Sequence, residues 1–271
     1  MSADRSGQRL RRPGSTAATS MELRPAPRDG TAEPAVMAIH RSGMVADAEG
    51  TEYPIRPMSI LEGEGRAIHD FMVGRGYSQS LETGMAYGVS TLWLADAVAR
   101  VDGGHHIAID PRQVSGYHSI GTLNVERAGL DDVVETYVEV SEYRLPKLAG
   151  AKAKLDFAFI DGRHLFDSAL IDFFYVDRML EVGGAVALHD LWMPSLRKLA
   201  GFIRQNRNYR LVHVDSSSEL GLPRRMYKVA KRVRNGSLGR DRSGFRLRAE
   251  NLCVLEKVGQ DDRHHEHFQP F

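Results

Sequence analysis

Four residues able to bind polar groups or move protons stand at the ends of two apolar runs: Asp161 and His164 in LDFAFIDGRH, His189 and Asp190 in GGAVALHD. Runs of this kind read as strands buried on both faces, which hold whatever follows them rigidly at the edge of a sheet. Two adjacent strand ends carrying Asp and His then converge on one cleft. Histidine titrates near neutrality, so His189 and His164 are the candidate general bases. A satisfied buried histidine at 189 and a helix cap at Asp161 are the plainer readings of the same residues.

A glycine turn lies upstream, in LETGMAYG at 81–88, between a short apolar run and an amphipathic helix pattern. In open α/β sheets, ligands bind beyond the carboxyl ends of the strands, where such turns occur. A dinucleotide fingerprint G-x-G-x-x-G begun at Gly84 fails at Ala86 and again at Val89. A phosphate loop fails as well, because no Lys-Ser or Lys-Thr pair follows the glycines. The turn is therefore read as shaped for a ligand without phosphates. The next strand, HHIAIDP, stops at Asp110, whose carboxylate can accept two hydrogen bonds from a ribose diol. Asp before Pro is also a common turn or cap pair. VEVSEY offers Ser141 and Glu142 at another strand end.

The elements that must position these groups alternate. A helix pattern from Ser59 precedes strands or helices at 79–84, 90–100, 105–111, 120–130, 133–141, 155–162, 166–180, 183–190, 194–206, 209–215 and 250–258. Strands alternating with helices of about ten residues require right-handed crossovers and a mostly parallel sheet covered on both faces. The last two strands lack a clear helix between them, so the sheet is expected to end in an antiparallel strand. On the helix after Asp161, Asp167 and Asp172 read as a solvated face.

Glu82, Gly84, Ala86 and Gly88 resemble the relaxed first motif of the class I S-adenosylmethionine-dependent methyltransferases. The I-D-G-x-H pattern, a helix, G-G and then H-D resemble their O-methyltransferase-like branch. The resemblance spans about Ser59 to Val258. It implies a Rossmann-like, doubly wound, mostly parallel seven-stranded sheet and transfer of a methyl group to a small-molecule hydroxyl of sugar, antibiotic or phenolic type. By the same resemblance Glu82, Gly84, Ala86 and Gly88 shape the methionine pocket, Asp110 binds ribose, Ser141 and Glu142 lie near the adenine edge, and Asp161 belongs to both cofactor and acceptor. Related enzymes hold magnesium at these two strand ends, so Asp161 and Asp190 are the candidate Mg2+ ligands. This chain has His189-Asp190 where those enzymes often have Asp-Asp or Asp-Asn, which raises a metal-free alternative with His189 or His164 as the general base. Trp192 and Met193 could line the acceptor pocket.

Two rival readings accompany this one. An NAD-dependent oxidoreductase would use a related sheet, against the missing glycines at 86 and 89. A non-catalytic RNA- or protein-binding module would use the basic stretch 223–248, with Arg224, Arg225, Lys228, Lys231 and Arg232 among its cations. Over the 271 residues, 36 basic and 35 acidic side chains leave a formal charge of +1, which gives no global drive toward nucleic acid or an anionic membrane.

Residues 1–36, without hydrophobic period, are expected to be disordered, with the domain at 37–258 and a flexible tail at 259–271. One cysteine, Cys253, excludes an internal disulfide and reads as core filler in a late strand. With no apolar run long enough to span a bilayer and no secretory pattern at the N-terminus, the expected location is the cytoplasm. A homo-oligomer is compatible with the sequence.

Overall fold

The computed structural model describes residues 33–212 and 251–271. The expected disorder of residues 1–32 and the basic stretch 223–248 lie outside these. Seven strands form the main sheet: β3 (Gln79–Thr83), β4 (His105–Ile109), β5 (Val134–Tyr137), β6 (Leu155–Ile160), β7 (Leu180–Leu188), β8 (Tyr209–Val212) and β9 (Cys253–Lys257). Their spatial order is β5-β4-β3-β6-β7-β9-β8, parallel except for β9, which runs antiparallel to both of its neighbours. The last strand in the chain is thus inserted one position in from the edge.

Helices cover both faces. α1 (Glu33–Ser42), α2 (Glu62–Arg75), α3 (Val89–Ala99) and α4 (Ile120–Arg127) supply one core with Ile68, Met72, Leu92, Trp93 and Val125. α5 (Ser141–Gly150), α6 (Phe166–Met179) and α7 (Pro194–Asn206) supply the other with Leu145, Phe173, Leu196 and Ile203. Side chains on β6 alternate between the two, Phe157 and Phe159 toward the first, Ala158 and Ile160 toward the second. This two-sided burial is why the strands read as nearly unbroken apolar runs. No helix among the described residues is long and apolar enough to cross a membrane.

Four elements depart from the sequence reading. α1 begins inside the segment assigned to disorder, and Val36 is fully buried against the α2/α3 side. Two three-residue strands, β1 (Met44–Ala46) and β2 (Glu52–Pro54), pair antiparallel ahead of α2. The strand expected through residue 141 stops at Tyr137, and α5 takes over at Ser141 with Pro146 inside it. The tail read as flexible is tied to α7: Asn206 Nδ2 donates to the Gln269 carbonyl at 2.9 Å, the Gln269 N–H returns a bond to Asn206 Oδ1 at 2.9 Å, and the Phe271 ring packs between Phe166 and Phe202.

The chain runs outward from β3 through β4 to β5, then returns to lay β6 on the other side of β3. Reversal of the winding direction opens a crevice beyond the carboxyl ends of β3 and β6. Gly84, Asp161 and Gly162 stand at that point.

Candidate active site

A cavity of about 580 Å³ occupies the crevice. Its wall includes Gly84, Ala86, Asp110, Ser141, Glu142, Asp161, His164, His189 and Asp190, so nine of the residues singled out from sequence meet around one space. Pro57, Met58, Ser59, Trp192 and Met193 close one side, and Arg112, Tyr117 and Arg163 also contribute. The volume is that of a small-molecule site.

The glycine turn explains itself through backbone geometry. Gly84 has φ +94°, and a Cβ there would lie 2.4 Å from the Asp161 carbonyl oxygen. Its N–H donates to the Ile109 carbonyl at 2.9 Å, which ties the turn to the end of β4. Ala86, where the strict motif has glycine, is also left-handed at φ 46°. Its conformation is held on both sides: its N–H donates to Asp110 Oδ2 at 2.8 Å and its carbonyl accepts from Gln113 Nε2 at 2.7 Å. Asp110 Oδ1 accepts the Arg112 N–H at 2.8 Å. Burial pushes the Asp110 carboxyl up, against the lowering effect of these bonds. Asp110 therefore fastens the glycine turn as well as facing the cavity.

Two motif residues are not in the wall. Glu82 is fully buried beneath the turn, where it accepts from Ser90 Oγ at 2.7 Å and from the Thr91 hydroxyl and faces His106 Nε2 at 3.4 Å. Its oxygens pin the first turn of α3 to β3 and it does not line the cavity, which corrects its assignment to cofactor binding. Gly88 is the left-handed cap of α3 at φ 79°; a Cβ there would come within 2.9 Å of the Gly121 carbonyl oxygen. Glu82→Gln is expected to cost about 1–2 kcal/mol in urea unfolding, since one oxygen acceptor becomes a donor facing donors. Cofactor affinity should then stay within about threefold.

At the acceptor end, His189 is clamped. Its Nδ1 lies 3.1 Å from Asp161 Oδ1 and its Nε2 lies 3.3 Å from Glu64 Oε2, with Asn251 Nδ2 2.9 Å from Nε2. Burial alone would lower the imidazole pKa, but Asp161 and then Glu64 hold it well above the ordinary value. A buried ring engaged at both nitrogens has no lone pair free for an acceptor's proton, which corrects the role read for His189. The same contacts act on Asp161: burial opposes, but His189 and His164 bring its carboxyl down to about 2.

His164 is the more accessible imidazole, its side chain 29% exposed and its Nε2 3.3 Å from Asp161 Oδ1 and 3.6 Å from Asp190 Oδ2. Burial lowers its pKa, and Asp161 followed by Asp190 outweighs that and raises it. Ser195 Oγ donates to the His164 carbonyl at 2.6 Å and so fixes the loop to α7. Asp190 sits left-handed at φ 54°, a sparsely populated conformation for a non-glycine residue, and its Oδ1 accepts from Trp192 Nε1 at 2.8 Å and Asn251 Nδ2 at 3.2 Å.

Magnesium takes oxygen ligands in near-octahedral array. Here Asp161 Oδ1 is engaged by two imidazoles, Asp190 Oδ1 by an indole and an amide, and position 189 offers ring nitrogens in place of oxygens. Asp161, His164 and Asp190 can bring one atom each within 4.8 Å of one another, a mixed oxygen and nitrogen group. These residues do not fit magnesium.

Glu64 and Asn251 escaped the sequence reading. Glu64 is the third residue of α2, and its Oε2 also accepts the Leu61 N–H at 2.9 Å. An acidic residue at that helix position is a cap signal and no more. Asp172 was misplaced: it is buried, not on a solvated face, whereas Asp167 is exposed. Burial pushes the Asp172 carboxyl up to about 6, while the hydroxyls of Ser141 and Thr83 pull it down; Oδ1 has no hydrogen-bond partner among the described residues.

Protonation of Asp172 is thus favoured by folding. Its burden on stability is absent below the ordinary carboxyl pKa and grows as pH rises toward 6, to at most about 3 kcal/mol. Asp172→Asn is expected to raise the urea midpoint at pH 8 and leave it nearly unchanged at pH 4. Equal shifts at both would show that the charge is not the cause.

Residues 81–191 match the family model described as a methyltransferase domain. That stretch of the chain is similar to a methyltransferase domain. The matched span of the methyltransferase domain runs from β3 past β7 and holds every cavity residue named above except Pro57, Met58, Ser59, Trp192 and Met193. Among solved structures, cofactor-bound Rv0187 from MTB is 18% identical with a TM-score of 0.50, over 85% of this chain and 91% of its own. The O-methyltransferase TomG from Streptomyces achromogenes, involved in tomaymycin synthesis and solved in complex with SAM, is 16% identical with a TM-score of 0.50, over 86% and 92%. At these identities the likeness is one of fold, the Rossmann-like sheet of class I methyltransferases. The glycine turn and the I-D-G-x-H pattern both lie within the matched span.

Proposed function

We propose that the protein transfers the methyl group of S-adenosylmethionine to a hydroxyl of a small molecule, with His164 as the general base. The observation that carries this reading is the juxtaposition, in one cavity, of a glycine cradle that a Cβ would fill and a partly exposed imidazole backed by two carboxylates. The cradle and the donor set fit the cofactor. Gly84 and Ala86 give the methionine portion close backbone approach, Asp110 offers its remaining lone pairs to the ribose, and Ser141 and Glu142 at the start of α5 face the adenine end. When bound, the cofactor supplies an electrophilic methyl on a sulfonium.

The chain's own task is to align the acceptor, exclude water and take one proton. Trp192, Met193, Pro57 and Met58 give the acceptor an apolar seat beside His164. In neutral His164 the Nε2–H donates to the carboxylates of Asp161 and Asp190, so the hydroxyl proton is taken at Nδ1, and the two carboxylates stabilise the imidazolium that results. TomG, titled an O-methyltransferase, favours oxygen as the acceptor atom.

Isothermal titration calorimetry of the full chain with S-adenosylmethionine, S-adenosylhomocysteine and NAD tests the reading. Micromolar binding of the two sulfur ligands without NAD supports it, and NAD binding alone overturns it. Asp110→Ala is expected to weaken S-adenosylmethionine about 10- to 100-fold, through the lost ribose contact and the loosened turn. Unchanged affinity would remove Asp110 from the cofactor site.

A further inference from the structure

A divalent cation at the acceptor end of such a cleft would do two jobs: orient the carboxylates of the two strand ends, and place positive charge beside the acceptor oxygen. The first job is already done by protein groups. Asp161 is held from behind by His189 Nδ1 at 3.1 Å, and Asp190 by Trp192 Nε1 at 2.8 Å and Asn251 Nδ2 at 3.2 Å. The His189 ring is itself held at its second nitrogen, which lies 3.3 Å from Glu64 Oε2 and 2.9 Å from Asn251 Nδ2. Glu64 reaches in from α2 and lies outside the cavity wall, with its side chain 3% exposed.

We propose that the Glu64–His189–Asp161 clamp takes the place of a divalent cation in this site, with Glu64 and His189 as positioning residues that hold Asp161 toward the cavity. A metal ion approaching Asp161 would find Oδ1 already engaged by the His189 ring, and ring nitrogens at position 189 where an oxygen ligand would be needed. Glu64 and Asn251 hold the ring in that position from its far side. The inference concerns how the carboxylates are held, and it stands whether or not His164 is the base of the proposed reaction.

Metal binding, read without turnover, tests it. In calorimetry with MgCl2 and MnCl2, the wild-type chain is expected to show no saturable binding tighter than about 1 mM. His189→Asp replaces the clamp by a third carboxylate and should bind either ion at least about tenfold more tightly than wild type. Should that variant fail to fold with Glu64 opposite, Glu64→Gln combined with His189→Asp removes the excess negative charge and is expected to gain the same binding. Wild-type binding of either ion below about 1 mM, abolished by Asp161→Asn, overturns the proposal. So does a folded His189→Asp chain that binds no better than wild type, since something other than the clamp would then exclude the ion. Binding of S-adenosylmethionine in the same samples keeps the outcome separate from that of the cofactor reading.

Discussion

His164→Asn is expected to lower kcat by about 10²- to 10⁴-fold while S-adenosylmethionine affinity changes little, because asparagine keeps a polar group in the loop but cannot accept the acceptor's proton. The pH profile supplies the sharper signature. The neutral ring is the active form, and Asp161 and Asp190 raise its pKa above the ordinary value against the effect of burial. Activity should therefore climb with pH through a limb lying above 6.5 and level off once His164 is deprotonated. That limb should vanish in the variant, leaving a low, flat rate. A rising limb that survives in His164→Asn would assign the proton to another group, and an unchanged kcat would reduce His164 to a wall residue.

Gly84→Ala should be the most damaging single change in the glycine turn. The φ of +94° is adopted by L-residues only under strain, at a cost of about 1–3 kcal/mol. The added Cβ also meets backbone, with the Asp161 carbonyl oxygen at 2.4 Å and its carbonyl carbon at 2.7 Å, so relief requires the ends of β3 and β6 to part. Cofactor binding should weaken by about 100-fold or more, and the urea midpoint should drop. Gly162→Ala is the control: its Cβ would lie 3.3 Å from Thr83 Oγ1, a side-chain atom able to move, and its effect should be much smaller. Similar losses in both would point to a general sensitivity of the loop in place of the cradle.

The fold was legible wherever a segment had to be apolar for one reason only. β3, β4, β6 and β7 are buried on both sides, so LETG, HHIAI, LDFAFI and GGAVAL announce themselves, and the polar residues closing them mark the crevice. α5 was hidden because Pro146 interrupts its pattern and its one fully buried side chain, Leu145, makes a weak period. β1 and β2 are too short to show alternation. α1 was absorbed into the polar leader although Val36 enters the core.

Among site residues, backbone-driven positions such as Gly84 were readable, since their type is dictated locally. Glu82 was placed in the right motif but given the wrong partner, because sequence does not say whether a strand residue faces the crevice or the helix beneath it. Asp172 was judged by the period of α6 alone, whereas α5 packs on that helix and covers the face. Glu64 comes from α2 and Asn251 from the residues just before β9, which only tertiary packing brings to His189.

The insertion of β9 between β7 and β8 bears on the order of events during synthesis. A nascent chain that has emerged as far as Val212 has every described strand that precedes β9, yet β7 and β8 lack the strand that joins them and the place of Asn251 beside His189 is empty. The strand that zips them together is made some forty residues later, so the exposed β7 edge must be protected from stray pairing until residue 257 is free to dock. Completion of the sheet and completion of the acceptor end of the cleft are then a single late step, and a half-made chain has neither.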